Sequence, residues 1–353
     1  MALMYIDGFE GYASRTDVTA VGTSACRFTT LDSSVALSSS IYRTSQVTTA
    51  NSRSLYAPGN QEFVLSMPSK TEIIIGCGVY ITTTNSFAYT IFCVGGTGYS
   101  GQGIAFAMNP GAGTFSIHTS GGSGNPGTTL GTASGTYSHS TWYYAELRVK
   151  LGTTTGEAHL RINGVSVLSL TNINTAAGSI SSYGIIGRGT STSISVYLDD
   201  LYICDTSGST NNTFLGPISV YGLLPTGAGS STQMDAVGAA SNWQAVGDAT
   251  ADTATYVETT VTAEQDYYTF QSLPAGITSV FGVALRTRNT TTDNGGRKIR
   301  LNLKNAANVI SSTLRTLTMS SWLYEFFLSE TAPDGSAWSK TSVDSTEAGI
   351  EAQ

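Results

Sequence analysis

Along nearly the whole chain, apolar and polar residues alternate with a period of two. No window of helical length carries a convincing 3.6-residue period. A strand turns successive side chains to opposite faces, so this pattern commits the chain to β-structure with one dry and one wet face. The segment WYYAELRVKLGTTTGEAHLRINGVSVLSL, residues 142–170, can be solved to its register. Tyr143, Ala145, Leu147 and Val149 take one face, and Tyr144, Glu146, Arg148 and Lys150 take the other. A hairpin through LGTTTG that sets Lys150 opposite Glu157 also sets Glu146 opposite Arg161, Leu147 opposite Leu160 and Ala145 opposite Ile162. Opposite charges and apolar pairs thus agree on one register. Asn163-Gly164 follows as a two-residue turn, because both residues tolerate φ > 0.

The same alternation predicts strands at 62–67, 71–81, 88–94, 104–109, 114–119, 142–150, 157–162, 165–170 and 193–204, with Gly, Asn and Ser clusters between them. Charged residues make up 12% of the chain, against about 25% in an ordinary globular protein. Thirty-nine glycines and many hydroxyl residues fit strands joined by tight turns. Residues 222–240, GLLPTGAGSSTQMDAVGAA, are small, polar and weakly periodic. Strand patterns resume after them in VALRTR, KIRLNLK and WLYEFFLSE. The expectation is an all-β chain: a jelly-roll sandwich over 1–222, a linker over 223–240 and a smaller β-sandwich over 241–353.

The net charge is −7 and the sequence pI is 4.9. An acidic surface repels phosphates, which argues against nucleic acid as a partner. MALMYIDGFE has no basic n-region, and Asp7 and Glu10 interrupt its apolar run, so no signal peptide is expected. The longest apolar stretch, Ile73 to Ile81, is far short of the ~20 residues a membrane helix needs, so no membrane insertion is expected. The four cysteines, Cys26, Cys77, Cys93 and Cys204, lie in strand-like runs without metal spacing and read as small buried hydrophobes. Cys93 shares the period of Tyr89 and Ile91.

Asp199 and Asp200, in YLDDLYICDTSG, are the most conspicuous acidic pair. Strand neighbours point to opposite faces, so the pair is badly placed to grip one glycosidic bond, which needs carboxylates roughly 5–10 Å apart in one cleft. The apolar phase slips by one between Val196/Leu198 and Leu201/Ile203, which predicts a bulge. Carboxylates at a bulge can accept from the backbone groups it leaves unpaired. Scaffold is therefore the reading, with calcium ligation and catalysis as alternatives. Gly96-Thr97-Gly98-Tyr99-Ser100-Gly101 matches a dinucleotide fingerprint, but a strand pattern rather than a helix follows it. It reads as a rim loop with Tyr99 at its tip, a candidate for stacking on a sugar ring. His118, His139 and His159 lack zinc spacing, and no nucleophile elbow is present. No cofactor and no metal are expected. Arg286, Arg288, Lys298, Arg300 and Lys304 fall on the polar faces of two strands joined by NTTTDNGG, a local basic ridge that reads as a plain solvated face, with an acidic neighbouring subunit or an anionic glycan as the alternative partners.

Three resemblances follow from these residues. Glu146-Leu147-Arg148 with Ile117-His118 is similar to the E-L-R and Q-I-H motifs of jelly-roll alginate lyases, in reversed order and with Ser116 in place of Gln. AHLRINGVSVLSL followed by VYLDDLYICD resembles laminin-G and concanavalin A-like jelly rolls. MALMYIDGFEGYAS, the run YLDDLYICDTSGSTNNTFLGPISVYGLLP with a returning strand at Ile218–Leu223, and WSKTSVDSTEAGIE resemble virion proteins of tailed bacteriophages. That resemblance implies a non-enzymatic structural protein of the virion, made in the host cytoplasm and tail-associated as fibre, tip or adaptor. Its implied partners are other virion proteins, further copies of itself in a trimer or hexamer, and a host-surface glycan. The alternatives are a capsid decoration protein and a polysaccharide depolymerase or lyase.

Overall fold

The computed structural model describes residues 2–20, 26–44, 52–59, 61, 63–82, 88–95, 103–120, 126–175, 180–185 and 194–353. The N-terminal strands are β1 (Leu3–Asp7), β2 (Arg27–Leu31), β3 (Ala36–Ser38), β4 (Ser54–Pro58) and β5 (Phe63–Lys70). Then come β6 (Glu72–Ile81), β7 (Tyr89–Gly95), β8 (Gly103–Asn109), β9 (Thr114–Ser120) and β10 (Pro126–Thr132). β11 (Tyr143–Lys150), β12 (Gly156–Ile162), β13 (Val165–Ile173), β14 (Ile180–Ile185) and β15 (Ser195–Cys204) complete the first sandwich. A single short helix, α1 (Arg15–Thr19), lies among the described residues of this part.

The first sheet runs β13-β12-β11-β6-β15-β4-β3, with β1 also paired to β15, and the second runs β10-β9-β8-β7-β14-β5-β2. Ile73, Ile75, Cys77, Val79, Ala145, Leu147 and Val149 from the first sheet meet Phe92, Phe106, Phe115 and Ile117 from the second in one buried core. The fold is thus the expected all-β sandwich of jelly-roll type. β11 and β12 pair in the register read from the sequence: Lys150 opposite Glu157, Glu146 opposite Arg161, Leu147 opposite Leu160 and Ala145 opposite Ile162. Asn163 and Gly164 both have positive φ, 51° and 80°. A Cβ on Gly164 would meet nothing closer than Pro217 at 3.4 Å, so Gly164→Ala isolates the backbone strain. Its expected cost is about 1–2 kcal/mol, read as a shift in denaturant midpoint at unchanged m-value.

Two expectations about phase divide. The slip at Asp199–Asp200 is a bulge: the register of β15 against β6 shifts between Asp199 and Tyr202, and Asp200 has φ 53°. This bulge divides the edge of β15, whose first half pairs β4 and whose second half pairs β1. Cys93, in contrast, does not share the face of Tyr89 and Ile91. A second irregularity, between Thr90 and Phe92, turns Phe92 and Val94 into the core and Cys93 outward against Ala105. All four cysteines are buried.

The C-terminal part begins earlier than expected. Residues 225–232 form a strand rather than a linker, β16 (Pro225–Thr232), followed by β17 (Asp235–Val237) and α2 (Asn242–Ala245). The remaining elements are β18 (Tyr256–Glu258), β19 (Gln265–Phe270), β20 (Val283–Asn289), β21 (Lys298–Asn305), β22 (Asn308–Ser311), β23 (Arg315–Thr316), β24 (Leu323–Ser329), α3 (Lys340–Asp344) and β25 (Glu347–Ala352). The sheet order is β16-β19-β25-β21-β22, with β23 beside β21, so the last strand of the chain sits mid-sheet. Buried Asp266 fixes the start of this part, accepting from the N–H groups of Gln233 (2.6 Å) and Met234 (3.0 Å), from Asn242 and from Tyr268 Oη (2.9 Å).

β20 and β24 form a separate two-stranded ribbon. Tyr324 belongs to the core of the first sandwich, with Phe326 packed against it. The boundary in space therefore differs from the boundary in sequence. Among the described residues, no helix is long and apolar enough to cross a membrane.

Candidate functional site

The outer face of the first sheet carries two adjoining features. One is open and aromatic. Tyr56 on β4 stands directly opposite Tyr197 on β15, which stands directly opposite Tyr80 on β6. Each of the three is out of phase with apolar neighbours that point into the core, so all three face away from it. Ring centroids are 4.8 Å apart for Tyr56–Tyr197 and 5.8 Å for Tyr197–Tyr80, and Trp142, just before β11, extends the row at 5.4 Å from Tyr80. All four side chains are half-buried. Neighbouring strands lie ~4.8 Å apart, and that spacing sets the row. Tyr56 Oη and Ser195 Oγ lie 3.3 Å apart at one end.

The second feature is closed. Residues 213–221 run without regular structure across the same face, so the returning strand expected at Ile218–Leu223 is instead a strap. Phe214, Leu215 and Ile218 pack on Leu3, Ile74, Tyr144, Tyr202 and Cys204. This cover explains why Tyr144 and Glu146, on the nominally wet face of the hairpin, are buried. Glu146 accepts from Tyr202 Oη (2.6 Å) and from the Gly216 N–H (2.8 Å). Arg161, opposite it in register, instead stacks over Phe214 at 4.4 Å.

Asp199 and Asp200 sit beneath this cover with no exposure. Asp199 accepts from the backbone N–H groups of Arg43 (2.6 Å), Thr44 (3.3 Å) and Asp200 (2.8 Å). Asp200 accepts from the Arg43 guanidinium, Thr44 Oγ1 (2.6 Å) and the Val220 N–H (2.7 Å). The two carboxylates therefore fasten the segment after β3 and the strap to the bulge. Among the described residues, no group of three or more His, Cys, Asp or Glu side chains is placed to hold a metal ion.

The two motifs similar to those of alginate lyases do not converge. Glu146 and Arg148 face outward from the first sheet, while Ser116 and His118 face outward from the second, on the far side of the core. His118 is buried against Ser116 Oγ (2.7 Å) and Thr129 Oγ1 (3.2 Å), and burial lowers its pKa toward the neutral imidazole. His159 lies beside Glu157 and His139 beside Ser140, well apart from each other. Tyr99 and its Gly-rich loop lie outside the described residues.

The basic ridge is also rearranged, because β20 and β21 do not pair. Arg286 is turned inward, bonded to the Glu10 carbonyl, 3.9 Å from Asp7 and 4.2 Å above the Tyr12 ring. Arg288 reaches the Asp252 carbonyl (2.9 Å) and lies 3.7 Å from Asp17. These two arginines join parts of one chain and are not an outward contact surface. Lys298 is exposed, Arg300 is half-buried, and Lys304 lies 5.0 Å above the Tyr267 ring. Sequence reasoning missed the aromatic row. Its signal was a tyrosine between two core residues in each of three strands.

No protein-family model matches the sequence, and no curated protein matches it at a significant level. Solved structures similar to it include the alginate lyase Aly36B, with 17% identity over 43% of this chain and 80% of that one, at a TM-score of 0.34. The cellulose-induced protein Cip1 is similar at 12% identity over 52% of this chain and 87% of that one, TM-score 0.35. The carbohydrate-binding module CBM66 from Bacillus subtilis is similar at 7% identity over 43% and 86%, TM-score 0.32.

Proposed function

We propose that this chain is a non-catalytic glycan-contacting protein whose binding surface is the row Tyr56, Tyr197, Tyr80 and Trp142. The observation that carries the reading is the row itself: three tyrosines on adjoining strands and Trp142 just before β11, half-buried on a braced sheet face. A sugar ring presents an apolar C–H face and a rim of hydroxyls. Rigid aromatic rings bury that face at little entropic cost, and tyrosine hydroxyls and nearby serines meet the rim. Rigidity comes from below, where the Asp199–Asp200 bulge, Arg43 and the strap hold the sheet. Against catalysis stand the separation of Glu146 from His118 and the use of both Asp199 and Asp200 as backbone acceptors. The sequence resemblance to bacteriophage virion proteins supplies the setting: a tail-associated component that touches a host-surface glycan.

Affinity electrophoresis through gels containing bacterial polysaccharides tests this reading. Tyr197→Ala removes the ring flanked on both sides and is expected to weaken retention by roughly ten-fold or more, equivalent to about 1.4 kcal/mol. Its stability is expected to change by about 1 kcal/mol or less, the scale of a cross-strand pair. Unchanged retention in a variant of a polysaccharide-binding wild type removes the row from the account.

A further inference from the structure

The aromatic row is flanked on the outer face of the first sheet by two parallel rows, and they differ in kind. On one side Asp199 on β15, Gly78 on β6 and Tyr144 on β11 stand in register, and Ser54 on β4 lies beside Asp199, one step past the Leu198–Leu55 pair. The segment after β3 lies along this row. The Ser54 hydroxyl donates to the Ile41 carbonyl, and the Arg43 N–H donates to Asp199 at 2.6 Å. The Arg43 side chain then crosses Gly78 and sets its guanidinium 4.7 Å above the Tyr144 ring. Glycine is needed at 78, since a Cβ there would lie 2.6 Å from Arg43 Cδ and 3.4 Å from Trp142 Cζ3. Residues 41–43 thus form a wall beside the aromatic row.

The other flank is low. Pro58 stands opposite Ser195, and Thr82 and Ser140 continue the line, held by bonds from the Thr82 N–H to the Ser195 carbonyl (3.1 Å) and from the Ser140 N–H to the Ile81 carbonyl (2.7 Å). Pro58 and Ser195 are half-buried, and Thr82 and Ser140 are exposed. The aromatic row is therefore the floor of a trough that crosses the strands, walled on one side and open on the other.

Length, shape and charge of this trough each constrain an occupant. From Tyr56 to Trp142 it spans three strand spacings, about 14 Å, which seats about four sugar rings of an extended chain. Beyond Tyr56 the row continues on β3 only with Ala36, so stacking ends there. The ring planes turn along the floor, by 30° from Tyr56 to Tyr197, 84° from Tyr197 to Tyr80 and 48° from Tyr80 to Trp142. Rings that meet edge to face cannot both lie flat on a packed fibre, but they suit a single strand whose successive sugars turn. The open flank carries hydroxyls and a proline. In the wall, the Arg43 guanidinium is engaged by Asp200 and by the Ile218 carbonyl (2.6 Å). A carboxylate or phosphate seated here would lose water without gaining a cation, and the net charge of −7 adds repulsion.

Resting on the reading of the row as a glycan surface, we propose that the trough takes one extended strand of a neutral glycan, about four sugars long, laid across the β-strands against the wall of residues 41–43. Tyr56 and Trp142 stack on the two end sugars, and Tyr197 and Tyr80 on the middle ones.

The test has two stages. The full chain is applied to a glycan array printed with neutral and with carboxylated or phosphorylated bacterial oligosaccharides. Calorimetry then follows wild type, Tyr56→Ala and Trp142→Ala against a length series of the best binder, from two to six sugars. Neutral glycans are expected to bind, with affinity rising roughly 3- to 10-fold per added sugar, the scale of one ring contact, and levelling at about four. Each alanine variant is expected to level one sugar sooner, and Tyr56→Phe, which keeps the ring, to level with wild type. A best binder that carries negative charge and is lost in Tyr197→Ala overturns the neutral trough while leaving the row as the glycan surface. A plateau at two sugars, or one that stays put in both alanine variants, overturns the assigned length and path. Binding that Tyr197→Ala leaves unchanged, or no binding to either kind of glycan, removes the row itself and the trough with it.

Discussion

Asp200→Ala is expected to destabilise the chain by about 3–5 kcal/mol, the scale found when one partner of a buried ion pair is removed. Three losses combine. Arg43 loses its carboxylate partner, although it keeps the Ile218 carbonyl (2.6 Å) and the Tyr144 ring (4.7 Å). Thr44 Oγ1, which keeps Ser219 Oγ at 3.0 Å, and the Val220 N–H each lose their bond to the carboxylate in a largely enclosed site. Alanine must also adopt the positive φ of the bulge, which asparagine and aspartate tolerate far better. Asp200→Asn keeps the shape and the backbone preference and is expected to cost about 1–2 kcal/mol. Urea midpoints at constant m-value distinguish the two. A loss within 1 kcal/mol for Asp200→Ala contradicts the bracing role given to the bulge.

Arg286→Ala is expected to cost about 3 kcal/mol and to loosen the seat of the C-terminal ribbon. The guanidinium lies 4.2 Å above the Tyr12 ring and within 6.0 Å of Phe326, bonds the Glu10 carbonyl and faces Asp7. Its removal leaves Asp7 buried without a cation, though still accepting from Tyr5 Oη (2.7 Å), Tyr12 Oη (2.8 Å) and the Phe9 N–H (2.8 Å). Those bonds keep the cost below that of a wholly stranded charge. Arg286→Lys is not expected to rescue, because an ammonium cannot stack on Tyr12 and bond the carbonyl in the same plane. The ribbon has a second anchor, Glu330, which accepts from the N–H groups of Ala2 (3.0 Å) and Leu3 (2.9 Å). Hydrogen exchange in β24 is therefore expected to speed up in Arg286→Ala before the first sandwich itself opens. Protection in β24 equal to wild type contradicts the tie.

What the sequence disclosed depended on how local the determining contact is. The β11–β12 register was legible because core and charge patterns in one hairpin agree, and the bulge at Asp199–Asp200 because a phase slip is written in four neighbouring apolar residues. Cys93 was misread since the bulge that flips it, between Thr90 and Phe92, leaves no charged or glycine mark. Residues 225–232 looked like a linker because an edge strand of small residues needs little side-chain packing when its backbone is held by β19. The burial of Glu146 and Tyr144 depends on a strap some seventy residues further on, beyond the reach of periodicity. Arg286 and Arg288 were placed on the correct face of their strand, but which body that face meets is a tertiary fact. The row of Tyr56, Tyr197 and Tyr80 lay within reach residue by residue. It became a site only through the strand order β4-β15-β6, which brings together residues more than a hundred positions apart.

The central claim is that the outer face of the first sheet receives a glycan and leaves it chemically unchanged. The most direct test is to label the tyrosine rings of the full chain with ¹³C and titrate in an oligosaccharide chosen from a glycan array, following ring signals and sugar products in one NMR sample. The account predicts that Tyr56, Tyr80 and Tyr197 signals move together, that Tyr144 and Tyr202 beneath the strap do not, and that the sugar stays intact. Shifts confined to other tyrosines, or the appearance of cleaved or unsaturated sugar, would contradict it.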